Sequence, residues 1–145
     1  MSSSDRLLKD KILAHEGSER FAYKDSEGHL TIGVGRCIDK EEGNGLSMDE
    51  QLYLLDNDIA KCRAELYRCN FYRDEKNVVR QDALVELCFN MGIAKLMRFI
   101  KMISALESKN YQEASKELAN SEWAKEVSLE RVMDLQYRIE NGSYQ

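Results

Sequence analysis

A mostly helical chain with one small β-hairpin near its N-terminus is the fold class that the sequence predicts. Three observations carry that expectation. The 145 residues contain no proline, where an average usage of about 5% would give roughly seven, and only 8 glycines. Such a composition suits helices joined by short connections and supplies no stiff linker. Apolar residues recur at helical spacing along most of the chain, and only residues 18–36 change to alternation.

The length is about that of one domain, and it can bury on the order of 70% of the unfolded surface without a disulfide or a metal. Hydrophobic residues at 43% and charged residues at 32% exclude disorder and fibrous repeats. The first helix is expected over residues 4–16, capped by Ser4, with Leu7, Leu8, Ile12 and Leu13 as its stripe and Gly17 as its stop. Phe21 and Tyr23 alternate, as do Leu30, Ile32 and Val34. Between them Asp25-Ser26-Glu27-Gly28 is rich in turn residues, which predicts an antiparallel hairpin. Residues 39–45 read as a polar loop.

Ser47-Met48-Asp49-Glu50 is a capping box that opens a long helix running to about Tyr67 through Leu52, Leu55, Ile59, Cys62 and Leu66. Another helix begins near Asp74–Asn77. From Gln81 to Met91 it is apolar nearly all round, as a central buried helix should be, and Gly92 stops it. Further helices fit Leu96–Leu106, Tyr111–Ala119 and Leu129–Glu140, the last closed by Asn141-Gly142. The outcome is a hairpin, one long helix and a helical bundle.

The net charge of −5, from 26 acidic and 21 basic side chains, supplies no basic surface for phosphate. Nucleic acid is therefore not expected as a partner. No apolar run approaches the roughly 20 residues of a membrane-spanning helix, and no charged-then-apolar leader precedes residue 5. Synthesis in a cytosol without an export signal is the expectation. Cys37, Cys62, Cys69 and Cys88 form no C-x-x-C, and His15 and His29 stand at no zinc spacing from them. On one helix face Cys62 and Cys69 would lie about 10 Å apart, too far to bridge. The cysteines read as small buried hydrophobes, and no metal site is expected.

Two motifs could carry chemistry. Gly33-Val34-Gly35 lacks the third glycine of a dinucleotide site and the Gly-Lys-Ser/Thr of a P-loop, and reads as a flat, close-packed strand end. Glu16, Asp25 and Thr31 are more informative. Glu16 ends the first helix, where the dipole and partial burial favour a protonated carboxyl able to act as general acid. Asp25 sits at the mouth of the hairpin turn, a wetter place, and Thr31 on the returning strand is its neighbour. Two carboxyls in contrasting surroundings are the pattern of acid/base glycoside hydrolysis, although each residue type is also common at its position for structural reasons.

His15-Glu16-Gly17, Ala22-Tyr23-Lys24-Asp25-Ser26-Glu27-Gly28 and Thr31-Ile32-Gly33-Val34-Gly35 together resemble the signature of the T-even-type phage lysozymes, glycoside hydrolase family 24. That family keeps a Glu, an Asp nine residues on and a Thr six further. The resemblance continues through Asn44-Gly45, Ser47, Phe89-Asn90-Met91-Gly92, Tyr111, Ser121-Glu122-Trp123, Arg131 and Gly142. It implies an α+β, mostly α, lysozyme-like two-lobed fold in a single domain. A hairpin lobe of about 15–55 would be joined by the long helix to a helical lobe of about 70–145 plus the N-terminal helix, with a cleft between.

The implied activity is hydrolysis of the β-1,4 bond between N-acetylmuramic acid and N-acetylglucosamine in peptidoglycan, with no cofactor. Glu16 would protonate the leaving oxygen, and Asp25 with Thr31 beside it would position or activate a water on the other face, the type being generally described as inverting. Phe89 would wall the cleft, unless it is core packing. Arg131 would stand beside the catalytic acid, with Glu86 as a third carboxylate nearby, and Arg36 would pair with Asp58. The chain departs from the pattern at Arg36, where the family has His, and at Glu86 and Glu117, where relatives carry neutral polar residues.

The expected setting is an endolysin that lyses its host, made in the cytoplasm and acting on the wall after holin-dependent release, as a monomer. Competing readings are a virion-associated wall-penetrating enzyme, a transglycosylase, and a wall-binding domain of the same fold with little turnover. The acidic net charge is a modest point for the wall-binding domain, because a free enzyme gains from positive charge on an anionic wall, and for an active enzyme it suggests salt-tolerant attack or delivery by another body such as a virion tail.

Overall fold

The computed structural model describes residues 2–145 and divides into two compact units, the first running to Leu54 and the second from Leu55 to Gln145. It is mostly helical with one three-stranded sheet, the α+β class expected.

In the first unit, helix α1 (Ser3–Glu16) is capped by Ser2, two residues before the expected Ser4, and its side chain accepts the Asp5 N–H at 3.0 Å. No residue of α1 is buried, and Leu7, Leu8, Ile12 and Leu13 are all exposed. Strands β1 (Glu19–Lys24) and β2 (Leu30–Gly33) form the expected antiparallel hairpin, with Tyr23 opposite Thr31 and a register shift between Glu19 and Tyr23. A third strand, β3 (Arg36–Cys37), pairs with the other side of β2. Thr31 thereby lies on the middle strand, which explains why it is buried at 4% exposure in a unit whose side chains are mostly solvated.

The Gly33-Val34-Gly35 segment is a tight turn between β2 and β3 rather than a flat strand end. Gly33 and Gly35 have φ of 68° and 67°. Arg36 just beyond it finds its partner within its own unit. Its guanidinium is held by Glu50, with Nη1 at 2.9 Å from Oε1 and Nη2 at 2.5 Å from Oε2. Glu50 also closes the capping box, accepting the Ser47 N–H at 2.9 Å while its own N–H donates to the Ser47 hydroxyl at 3.2 Å.

Helix α2 (Met48–Leu66) begins in the first unit and ends in the second. The second unit continues with α3 (Asn70–Arg73), α4 (Val78–Met91), α5 (Ile93–Leu96), α6 (Ile100–Glu107), α7 (Tyr111–Ala119), α8 (Glu122–Glu126) and α9 (Leu129–Asn141). Its core gathers Leu66, Leu84, Leu87, Leu96, Met102, Leu106, Leu118, Trp123, Leu135 and Ile139, all almost completely buried. Helix α4 is the central one, as its all-round apolarity required, and Asn77 caps it by accepting the Arg80 N–H at 2.9 Å. The helix expected over 96–106 begins only at Ile100, and Leu96 instead ends the short α5. Phe99, with ψ of 61°, leaves the helical region between α5 and α6.

The unit also pins its buried polar groups. Glu75 accepts the Tyr111 hydroxyl at 2.7 Å and the Asn77 N–H at 3.0 Å, and the Trp123 indole N–H donates to Asn90 at 2.7 Å. Cys62 and Cys88 are buried, Cys37 and Cys69 are half-buried, and all four are free. Cys69 lies beyond the end of α2 instead of on its face. Burial, then the Cys62 thiol beside it, pushes the Cys88 thiol up to about 12, which makes it unreactive near neutrality.

Glu50 is held down to about 2 from its ordinary 4.5, first by the Ser47 N–H and then by Arg36. A depressed carboxylate stabilises the fold fully above its unfolded value and loses that contribution as pH falls toward its folded one. Glu50→Gln is therefore expected to lower the melting temperature at pH 7. The gap to the parent should close as pH falls from 4.5 toward 2. Because the pair is exposed, the effect should be small and weakened by salt. Equal melting temperatures at pH 7 in low salt would exclude it.

Candidate active site

The hairpin turn is built around one carboxylate. Asp25 Oδ1 accepts the N–H groups of Glu27 and His29, both at 2.9 Å, while the Asp25 N–H donates to the His29 carbonyl at 2.9 Å and the Gly28 N–H to the Asp25 carbonyl at 3.0 Å. This is what Asp does in turns: its side chain reaches the main chain two or more residues on and fixes the reversal. Gly28, at φ 83°, supplies the left-handed residue the reversal needs. Hydrogen bonding favours the charged form. The His29 N–H most of all, with help from the Glu27 N–H and against a push from burial, holds Asp25 below the usual carboxylate range.

Only Oδ1 is used in this way. Oδ2 accepts no hydrogen bond from the described residues, its nearest charged neighbour being His29 Nδ1 at 3.8 Å. The side chain is about one-third exposed, so an ionised oxygen faces solvent with its partner oxygen locked. Such an oxygen can accept a proton from water. Thr31 is close in the weave but not bonded to Asp25. Its hydroxyl donates to the His29 carbonyl at 3.0 Å, which ties the middle strand to the same turn.

Glu16 is the last residue of α1, where the helix dipole places partial negative charge. Its side chain is exposed rather than partly buried, and it lies against the β2–β3 turn. A Cβ added at Gly35 would fall 2.7 Å from Glu16 Oε2 and 3.0 Å from its Cδ. Ile12, Leu13 and Val34 line an apolar depression beside that contact, so α1 and the turn are packed where the carboxyl is placed. Gly35 is the site residue that sequence reasoning missed. Its part in the Gly-x-Gly motif was visible, but not the side chain that fills its missing Cβ.

The second unit holds a separate charged cluster. On α4, Glu86 accepts Arg138 Nη2 at 2.5 Å and Arg131 Nε at 3.2 Å, and Arg138 also grips Asp134 through Nε at 3.0 Å. The Arg138 side chain is only 5% exposed, with the Tyr144 ring 5.3 Å from its guanidinium. Burial alone would push Arg138 down, but Glu86 and Asp134 outweigh it and raise it. Phe89, at 46% exposure, is not core. With Leu55, Ile59, Glu86, Arg131 and Tyr144 it lines a depression of about 420 Å³. Glu117 lines a different one with Lys101 and Trp123. Among the described residues, no group of three or more His, Cys, Asp or Glu side chains could hold a metal, and no helix is long and apolar enough to cross a membrane.

A family model of phage lysozymes matches residues 13–139, a span that includes every residue named above as a site candidate. The chain belongs to the phage lysozyme family. It is accordingly a glycoside hydrolase, a muramidase acting on peptidoglycan. Similar curated proteins include "Probable T4-type lysozyme 1" and "Probable T4-type lysozyme 2" of Dictyostelium discoideum. Each is 27% identical, with 80% of this chain and 84% of the relative covered. A further relative is the "Pre-baseplate central spike protein Gp5" of Enterobacteria phage T4, 26% identical over 85% of this chain but only 25% of its own length.

In this lysozyme-family chain Gly35 is the position where one methyl group separates fold from site. Gly35→Ala would place its Cβ against the Glu16 carboxyl and impose a left-handed φ on a residue with a side chain. A loss of about 1 kcal/mol or more of stability is expected from the backbone alone. Wall-clearing activity should fall further than the melting temperature explains. Activity that merely tracks the folded fraction would count against the contact's role in placing Glu16.

Proposed function

We propose that this chain is an endolysin that cleaves the β-1,4 bond between N-acetylmuramic acid and N-acetylglucosamine with Glu16 as general acid and Asp25 as base. The observation that carries the proposal is the division of labour within Asp25, one oxygen fixed by two N–H groups and the other ionised and open. A base needs a free lone pair and a fixed direction, and the turn supplies both. Glu16, on a different element and against Gly35, is the residue whose proton goes to the leaving oxygen. A water activated by Asp25 then attacks the opposite face, and the anomeric centre inverts. Thr31 keeps the turn in register beneath the base.

Phe89 is proposed as a wall for the sugar, being exposed where a core residue would be covered. Arg131 is proposed to support the acid. Its Nε is fixed by Glu86, and its terminal nitrogens have no partner among the described residues. On this reading the enzyme is monomeric, is made in the host cytoplasm, reaches the wall through a holin-dependent step and causes lysis. A virion-delivered enzyme is the second reading. It is favoured by the net charge of −5 and by the likeness to a spike protein of a phage particle.

Purified peptidoglycan should yield reducing muramic-acid ends, with the new anomer inverted when followed by NMR at early times. Anhydro ends would identify a transglycosylase instead. Glu16→Gln is nearly isosteric with a protonated acid but has no proton to give. Asp25→Asn keeps an oxygen for the turn's two N–H groups but removes the base. Each should fold like the parent and lose about 10²–10⁴-fold in rate. Either variant retaining more than a tenth of the parent rate would refute its assignment.

A further inference from the structure

Beside the open oxygen of Asp25 stands a titratable ring that the mechanism does not use. His29 Nδ1 is 3.8 Å from Asp25 Oδ2 and 3.7 Å from Glu27 Oε2, and its side chain is 30% exposed. Asp39, on the loop after β3, also feels its charge. Among the described residues, Asp25 and Glu27 from the turn are the charged groups within 4 Å of the ring, and Asp39 from the neighbouring loop lies within reach of its charge.

We propose that His29 is a positioning residue for the hydrolysis, its imidazolium drawing Asp25 Oδ2 away from the water and so turning down the base as pH falls. The inference rests on Asp25 being the base. A neutral ring, whichever nitrogen carries its one proton, puts no cation beside Oδ2. A protonated ring puts a cation and a Nδ1–H donor beside the one oxygen that the chemistry needs, lowering its basicity and competing for its lone pair.

Imidazole changes charge between about pH 5 and 8. Asp25 and Asp39 are both held below the usual carboxylate range by main-chain N–H groups, Asp39 by those of Glu41 and then Glu42, so neither changes charge there. Loss of activity between pH 7 and 5 would thus belong to the ring rather than to the base itself.

The turn allows a clean test because it uses only the main chain of His29. The His29 N–H binds Asp25 Oδ1, and the His29 carbonyl receives the Asp25 N–H and the Thr31 hydroxyl. Side-chain replacement leaves all three bonds in place. The pH dependence of kcat/KM on soluble, sonicated peptidoglycan at constant ionic strength is the readout. The parent should lose at least threefold between pH 7 and 5. His29→Gln should be flat across that range, and His29→Lys should be low and flat.

An unchanged acidic limb in His29→Gln, or a parent-like profile in His29→Lys, would overturn the proposal. The contact has its own readout in the NMR titration of the His29 ring, which Asp25→Asn should move to lower pH by linkage. An unmoved titration would also overturn it. The reading beneath is tested separately: if Asp25→Asn remains active, the base is misassigned, whatever the ring does. If Asp25→Asn is inactive and the His29→Gln profile is unchanged, only the role of His29 fails.

Discussion

The geometry of the first unit depends on one carboxylate having two oxygens. Asp25 Oδ1 closes the turn that pairs β1 with β2 and sets Tyr23 opposite Thr31. Because a one-residue slip in a strand reverses every side chain, that turn also decides that Thr31 faces inward on the middle strand. The other oxygen is left for solvent. Folding and chemistry therefore draw on the same side chain through different atoms, and the hydrogen bonds that build the hairpin are those that keep Asp25 ionised. A unit with few buried apolar side chains cannot rely on core packing to orient a residue. It relies on main-chain donors, which cannot rotate away.

Charge is handled differently in the second unit. There Arg138 is buried among apolar helices and satisfied by both Glu86 and Asp134. Removing either partner would strand part of a buried cation, the costly case for such pairs. Glu86 is therefore fixed from the inside by Arg138 and presents its other oxygen to Arg131, whose remaining nitrogens point onward unengaged among the described residues. The order runs from a buried anchor to a half-buried guanidinium. It fits the proposed role for Arg131, since a supporting charge is useful only if its direction is set by something more rigid than itself.

What could be read from the sequence was what has local causes. The caps at Ser47 and Asn77, the glycine stops after α1 and α4, and the alternation in the hairpin each arise from a few adjacent residues, and they were legible. Strand β3 was not, because two residues cannot show a period. The break at Phe99 was hidden because apolar spacing continues across it while the backbone does not. Helix α8 was missed because five residues around a single buried Trp carry no repeat. The spacing of Glu16, Asp25 and Thr31 was visible as a resemblance, but Gly35 against Glu16 is a contact across 19 positions with no pattern in the chain. The contact of Arg36 with Glu50 was not legible for a related reason. Glu50 had been assigned fully to its capping box, although a carboxylate has enough lone pairs to accept from Ser47 and Arg36 together.

The proposed acid, Glu16, and the proposed base, Asp25, are placed by unlike means, and the difference matches what each would have to do. A general acid has to give up its proton and then exist as an anion, so it suits an exposed helix end with no donor locking its charged form. A general base has to be charged before the reaction begins, and two N–H groups ensure that for Asp25 at any pH near neutrality. The turn between β2 and β3 reconciles the two, since its glycine lets the helix end approach the sheet that carries the base. Replacing the sheet's main-chain donors by side chains would leave the base as mobile as the acid. The asymmetry between a carboxyl held by backbone and one merely laid against backbone is what allows two residues of nearly the same chemistry to take opposite roles.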